Sequence, residues 1–153
     1  MRSLILRQYH LYRLLIAILD HYIQPVVNLF GRTYVAWVFF ASGLTKIRDW
    51  QSTLMLFEYE YSVPLINFEL AAWLATFGEL VLPLLLIIGL ATRVNAVGLS
   101  IINIVAVISL EEIAPAALYG HVIWGVILLH IILLGGQKLS ADHWIKIKLY
   151  QSV

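Results

Sequence analysis

Glu79 stands in the uninterrupted run 71–90, Ala-Ala-Trp-Leu-Ala-Thr-Phe-Gly-Glu-Leu-Val-Leu-Pro-Leu-Leu-Leu-Ile-Ile-Gly-Leu, which holds no other charge. A run of this length crosses a bilayer. A carboxylate near the bilayer centre costs roughly 2.5 to 3.5 kcal/mol on insertion scales, and such groups face a bundle interior where something pairs with them. Lys46 is the natural partner. Counting about 1.5 Å of rise per residue from a common outer surface, Lys46, Glu79, Asn103 and His121 all fall in the outer half of a helical bundle. An acid and a base brought together in low dielectric stabilise each other's charged forms, while an amide and an imidazole complete their hydrogen bonds. Pro83 has no N–H to give the carbonyl four residues back, which is that of Glu79, so a kink and a free backbone oxygen are predicted beside the carboxylate. Trp124 follows His121 by three residues, shares its face and offers a flat stacking wall. Such a site would hydrogen-bond and exchange protons with a small ligand, with Glu79, Lys46 and His121 as the candidate acid, base and proton-handling groups.

A plainer reading stands beside this one. The Glu79–Lys46 pair also suits a structural lock between two helices, and His121 suits an interfacial histidine with one ring nitrogen reaching water. His130 lies nine residues further on and points away from His121, toward the inner end of a neighbouring helix or an oligomer contact. Asn95 and Asn103 read as interhelical hydrogen-bonding residues, and Gly43 and Gly98 as points of close helix approach. No metal site is expected.

These side chains need a frame of membrane helices. Of 153 residues 61% are apolar and only 12% charged, with a mean hydropathy of +0.88, so the chain belongs in lipid rather than in water. Its length accommodates four spans with short connections and no separate soluble domain: a single domain over 1–153, with spans at about 33–50, 70–90, 94–112 and 117–134. From 4 to 24 the polar residues Arg7, His10, Arg13, Asp20 or His21, and Gln24 recur at helical spacing, which predicts a basic amphipathic helix lying in the membrane interface and stopped near Pro25. The spacing of Trp50, Leu54, Phe57 and Tyr61 predicts a short surface helix ending before Pro64. In the tail, 137–153, Ser140 is placed to cap a helix carrying Asp142 and His143. The fold class is an all-α membrane protein, a four-helix transmembrane bundle with an N-terminal interfacial helix.

With four spans Arg2, Arg7, Arg13, Arg32, Arg93, Lys138, Lys146 and Lys148 gather on one side, opposed only by Lys46 and Arg48. By the positive-inside rule both termini and the tail are cytoplasmic. A net charge of +1 gives no reason to invoke nucleic acid. The chain has no cysteine, so thiol redox chemistry would belong to a partner. Only Met1 and Met55 offer thioether sulfur, too few for a soft-metal carrier. Phosphate loops, dinucleotide fingerprints, metalloprotease motifs and nucleophile elbows are all missing.

Gly31-Arg32, then Phe39-Phe40-Ala41-Ser42-Gly43-Leu44-Thr45-Lys46-Ile47, the in-span Glu79, and Gly89-Leu90-Ala91-Thr92-Arg93 together resemble the DoxX family of small bacterial four-helix membrane proteins, over about residues 30–136. The segment Leu56-Phe57-x-Tyr59-x-Tyr61-x-Val63-Pro64 and the tail Gly135-Gly136-x-x-Leu139-Ser140-x-Asp142-His143 resemble a branch found beside gene clusters for secreted copper-binding modified peptides. The resemblance implies a bacterial inner-membrane location. It also implies a link to quinones, since the family name derives from a thiosulfate:quinone oxidoreductase whose membrane subunit is related, and other members partner redox enzymes in oxidative-stress defence. By position Arg32, Lys46, Glu79 and Arg93 match the family's charged pattern, which adds Arg32 and Arg93 to Asn103 and Trp124 as candidate cofactor-binding residues. His121, Asp142 and His143 match the tail branch.

Three functions stay open. One is the membrane subunit of a redox system with quinone as cofactor and a protein partner supplying electrons, an enzyme only in that company. Another is a non-enzymatic scaffold or export and maturation partner in copper handling. The third is a small-solute or proton pathway. A homo-oligomer fits a bundle this small.

Overall fold

The computed structural model describes residues 2–151, with side chains from Ile5 to Gln151. Expectations placed on Met1, on the Arg2 side chain and on the last two tail residues lie outside the described residues. The described chain is helical almost throughout: α1 (Arg2–Ile18), a π-helical turn (Leu19–Ile23), α2 (Gln24–Arg48), α3 (Trp50–Tyr59), α4 (Phe68–Ile88), α5 (Thr92–Ile108), α6 (Pro115–Leu134) and α7 (Ala141–Gln151). It is an all-α membrane protein.

Three of these runs are long and apolar enough to cross a bilayer, namely Ile5–Arg48, Phe68–Ile88 and Pro115–Leu134, and Thr92–Ile108 is a shorter apolar helix of 17 residues. The first departs from expectation: the N-terminal helix does not stop near Pro25 but runs through it into α2. Pro25 sits in the first turn of α2, and because the run is continuous its missing N–H leaves the His21 carbonyl, four residues back, without its α-helical donor; Lys138 Nζ donates to that carbonyl at 3.4 Å. The wide turn before it closes with the Gln24 N–H donating to the Leu19 carbonyl, five residues back. That extra residue per turn carries the chain past the proline without a break. The segments expected at 4–24 and 33–50 are therefore one helical run.

The bundle proper is α2, α4, α5 and α6, with α2 packed most extensively on α4 and α5 on α6. Its centre is Val35, Ala36, Phe39, Leu86, Ala96, Leu99, Leu128 and Ile131. Close approach is set by small residues, as expected at two places. A methyl on Gly43 would stand 3.0 Å from Leu80 and 3.1 Å from the Glu79 Cβ, and one on Gly98 would overlap Leu82. The short helix α3 forms where the spacing places it. Asp49 caps it, accepting from the Ser52 N–H at 3.0 Å and from the Ser52 hydroxyl at 2.7 Å. Its Phe57 packs on Ala71 and Ala72 of α4, and Trp50 lies against Trp73 with centroids 4.3 Å apart.

At the other end of the bundle the α4–α5 turn is sharp. Gly89 takes φ +76°, and its N–H and that of Leu90 return to the carbonyls of Leu86 and Leu85, the paired bonds of a Schellman ending. The start of α5 has no cap of its own. Asp142 supplies one from the tail, accepting from the N–H groups of Ala91 and Thr92 and from the Thr92 hydroxyl at 2.7, 2.8 and 2.7 Å. Ser140 caps α7, accepting from the His143 N–H at 3.3 Å.

Candidate functional site

Lys46 and Glu79 meet. Lys46 Nζ stands 2.6 Å from Glu79 Oε2 and also donates to Ser42 Oγ at 2.9 Å. Ser42 precedes Lys46 by one helical turn and so shares its face. The pair is nearly enclosed, with side-chain exposures of 14% and 8%. Gly43 places it, because a bulkier residue there would hold α2 away from Glu79.

Across the bundle, Asn103 on α5 reaches His121 on α6 twice. Its Nδ2 donates to the His121 carbonyl at 2.9 Å, and its Oδ1 lies 2.9 Å from His121 Nδ1. The two contacts fix each other. A carbonyl only accepts, so the amide nitrogen faces it; the amide oxygen also only accepts, so Nδ1 must carry the hydrogen. In the neutral ring Nε2 is then left with its lone pair. No described residue bonds it, and His121 lines the cavity described next. Trp124 stacks edgewise on the ring with centroids 5.0 Å apart and meets Phe39 at 6.2 Å.

Both polar pairs open on one cavity of about 610 Å³. Ser42, Lys46, Tyr61, Glu79, Ser109 and His121 are its polar lining, and Phe39, Phe57 and Trp124 its aromatic walls. A few convergent polar groups in a mainly apolar hollow of this size have the character of a small-molecule site. Tyr61 belongs to a loop pinned by the Ser62 N–H donating to the Ser109 carbonyl at 2.8 Å. Burial, with the charges of Glu79 and Glu60, pushes the Tyr61 phenol above its ordinary pKa, so it stays a hydrogen-bond donor. The arrangement can present an ammonium and a phenol as donors to a carbonyl oxygen, and the Nε2 lone pair of a neutral imidazole as acceptor to a hydroxyl, with a flat ring between aromatic walls.

Of the candidate residues, the structure brings together Lys46, Glu79, His121 and Trp124, with Asn103 behind the histidine. Arg32 and Arg93 do not line this cavity. Arg32 lies fourteen residues before Lys46 in one helix, about 21 Å of rise. It is fully buried and donates to the Leu139 carbonyl at 2.5 Å. Arg93 donates to the Leu133 carbonyl at 3.1 Å. Asp142 fastens the tail to the α4–α5 turn, while Arg32 ties the tail to α2 and Arg93 ties the start of α5 to the end of α6. Burial opposes ionisation of Asp142, but the Thr92 and Ala91 donors and nearby Arg32 outweigh it and hold its pKa below the ordinary value. His143 lies in a separate surface hollow with Lys146 and Tyr150. His130 is exposed and does not line the main cavity. Asn95 serves its own turn, donating to the Leu90 carbonyl at 2.6 Å, rather than another helix. Among the described residues no group of three or more His, Asp or Glu side chains is arranged to hold a metal ion.

Two contributors escape sequence reading, Tyr61 and Ser42. The i, i+4 spacing of Ser42 and Lys46 was the available signal for one; the loop course that turns Tyr61 inward has no such signature.

The family model described as DoxX matches residues 27–112, which takes in nearly all of α2 and the whole of α3 to α5, with Lys46, Glu79 and Asn103, and stops short of His121 and Asp142. Among curated proteins, one from Haemophilus influenzae described as an uncharacterized protein is 34% identical over 124 residues, covering 75% of this chain and 80% of that relative. No solved structure matches.

Proposed function

The chain belongs to the DoxX family, and from that premise we propose that it is the membrane subunit of a redox system, binding a quinone headgroup in the cavity between α2, α4, α5 and α6. The observation that carries this reading is the sharing of one aromatic-walled cavity by the Lys46–Glu79 pair and the oriented His121. Reduction of a quinone takes two electrons and two protons. The electrons come from a partner subunit, since a chain without cysteine has no dithiol couple of its own. Lys46 and Tyr61 would donate hydrogen bonds to one quinone oxygen, which would take its proton through Lys46, and Glu79 would hold that ammonium in place. His121 Nε2, with its lone pair toward the cavity, would first accept the second proton and then pass it to the other oxygen, both protons being drawn from water. The helix α1, exposed along its described length, supports a partner surface. The same chain would lie in the bacterial inner membrane with four spans and cytoplasmic termini.

The test is purification in mild detergent with extraction and analysis of bound quinone, followed by titration of stripped protein with a benzoquinone. Stoichiometric quinone in the wild type, lost in Glu79→Gln, is the expected result. A folded Glu79→Gln variant that keeps full binding and full quinone reduction with its partner overturns it.

A further inference from the structure

The shape of the cavity says how its occupant arrives. Leu74 on α4 and Ile101 on α5 both line the cavity, yet they are 54% and 58% exposed on the outer surface of the bundle. Side chains that face a hollow and the exterior at once mark its opening. Neither lies in a loop: both stand within apolar helices, beside the exposed side chains Trp73, Phe77 and Ile104, in the surface that meets lipid. Toward the bundle centre the two helices close up, since a methyl on Gly78 would overlap Ile102 and one on Gly98 would overlap Leu82. Toward the loop end, Val63, Pro64, Leu65 and Ile66 line the cavity in a loop tied down by the Ser62 to Ser109 bond at 2.8 Å, with Leu65 and Ile66 exposed on its outer side. Between α4 and α5 the lining is Ala71, Ala75 and Ala106, whose small side chains leave room for a hydrocarbon chain.

Resting on the quinone reading, we infer that the ligand is a tailed, bilayer-dissolved quinone that enters sideways between α4 and α5, its ring reaching Lys46 and His121 and its tail lying in the slot between Leu74 and Ile101. A headgroup from the aqueous side would have to pass the loop held by the Ser109 bond; one from the bilayer passes only the apolar side chains of Leu74, Ile101 and the alanines and meets its polar partners at the end. The apolar slot also gives the tail a surface to cover, which a tailless ligand leaves exposed.

The experiment compares two probes on the full chain in phosphatidylcholine nanodiscs, a tailless dimethoxy-methyl-benzoquinone and its decyl-tailed derivative, followed by quenching of tryptophan fluorescence. Ala75→Leu fills the slot from within, and Ile101→Phe narrows it from an exposed position that tolerates a larger side chain. Each variant is expected to weaken the tailed probe by about tenfold or more while the tailless probe stays within about twofold of wild type. Partition of the probe into lipid cancels, because each comparison is between proteins. If both variants weaken the two probes alike, or neither probe at all, the lateral route is wrong while the quinone reading stands. If wild type binds neither probe, both fall.

Discussion

Gly43 and Glu79 lie against each other where α2 packs on α4: a methyl added to Gly43 would stand 3.1 Å from the Glu79 Cβ, tighter than side chains ordinarily pack. The ammonium of Lys46, one turn on, reaches the carboxylate because of that contact. Gly43→Val is therefore expected to cost about 1 to 3 kcal/mol through overpacking, and to loosen the ion pair with it. A thermal melt in detergent measures the first effect. An unchanged melting temperature would show that the helices do not depend on this approach.

Removing one member of the Lys46–Glu79 pair leaves the other as an uncompensated buried charge, so Lys46→Met alone is expected to destabilise by about 3 to 5 kcal/mol. Lys46→Met combined with Glu79→Leu should recover most of that stability and still bind no benzoquinone. This double variant separates a lock from a site. If it folds and binds as wild type does, the pair is only structural.

The Asn103 clamp predicts a single histidine tautomer. Histidine-selective nitrogen NMR of the wild type should show His121 protonated at Nδ1 near neutral pH, and Asn103→Leu should show a mixture. Loss of the two bonds is expected to cost about 1 to 3 kcal/mol in stability and to weaken benzoquinone binding by about threefold to tenfold. A wild-type ring protonated at Nε2 would contradict the hydrogen-bond geometry.

Asp142 carries an acid-sensitive clasp. Its folded pKa is depressed by the Ala91 and Thr92 donors and Arg32 against the opposing effect of burial. Its contribution is therefore fully present above the ordinary carboxylate range and is lost as pH falls through the folded value. Melting temperature should drop in acid more steeply for wild type than for Asp142→Asn, which already lacks the anion and should melt lower at neutral pH. Parallel pH profiles would exclude the clasp.

Both amide atoms of Asn28 are buried without a hydrogen-bond partner among the described residues, as are Nε and Nη1 of Arg32 one turn further on. Desolvating an amide without return is unfavourable, so Asn28→Leu, close in volume, is expected to raise stability by about 1 to 3 kcal/mol. Chemical denaturation in mixed micelles measures it. A clear loss of stability would mean that the amide is bonded in the working protein.

The chemistry at the Lys46 end was legible in the chain because a lone charge in an apolar run must find an opposite one, and helical rise fixes which residues share its depth. Gly43, Asn103 and the Ser140 cap follow from similarly local rules. The path through Pro25 was not legible. A proline in a first helical turn and a proline that ends a helix look alike in sequence, and one wide turn leaves no mark on apolar periodicity. Arg32 and Arg93 enter as ligand residues only by a charge pattern that states which residues recur together, although the sorting of basic residues already puts them at the end opposite Lys46. Tyr61 reaches the cavity through a loop whose course depends on a backbone bridge to Ser109, which residue spacing does not encode.

The wide turn at Leu19–Ile23 also works as a slack loop in the helix. It takes up one residue more than an α turn does in about the same rotation, so deleting one of its residues would let the backbone rewind to ordinary α geometry with everything upstream at nearly the same azimuth. Arg7, His10 and Arg13 would keep their bearing while the four packed helices and their cavity stayed as they are. The extra residue is thus absorbed locally, turning neither the N-terminal arm nor the site.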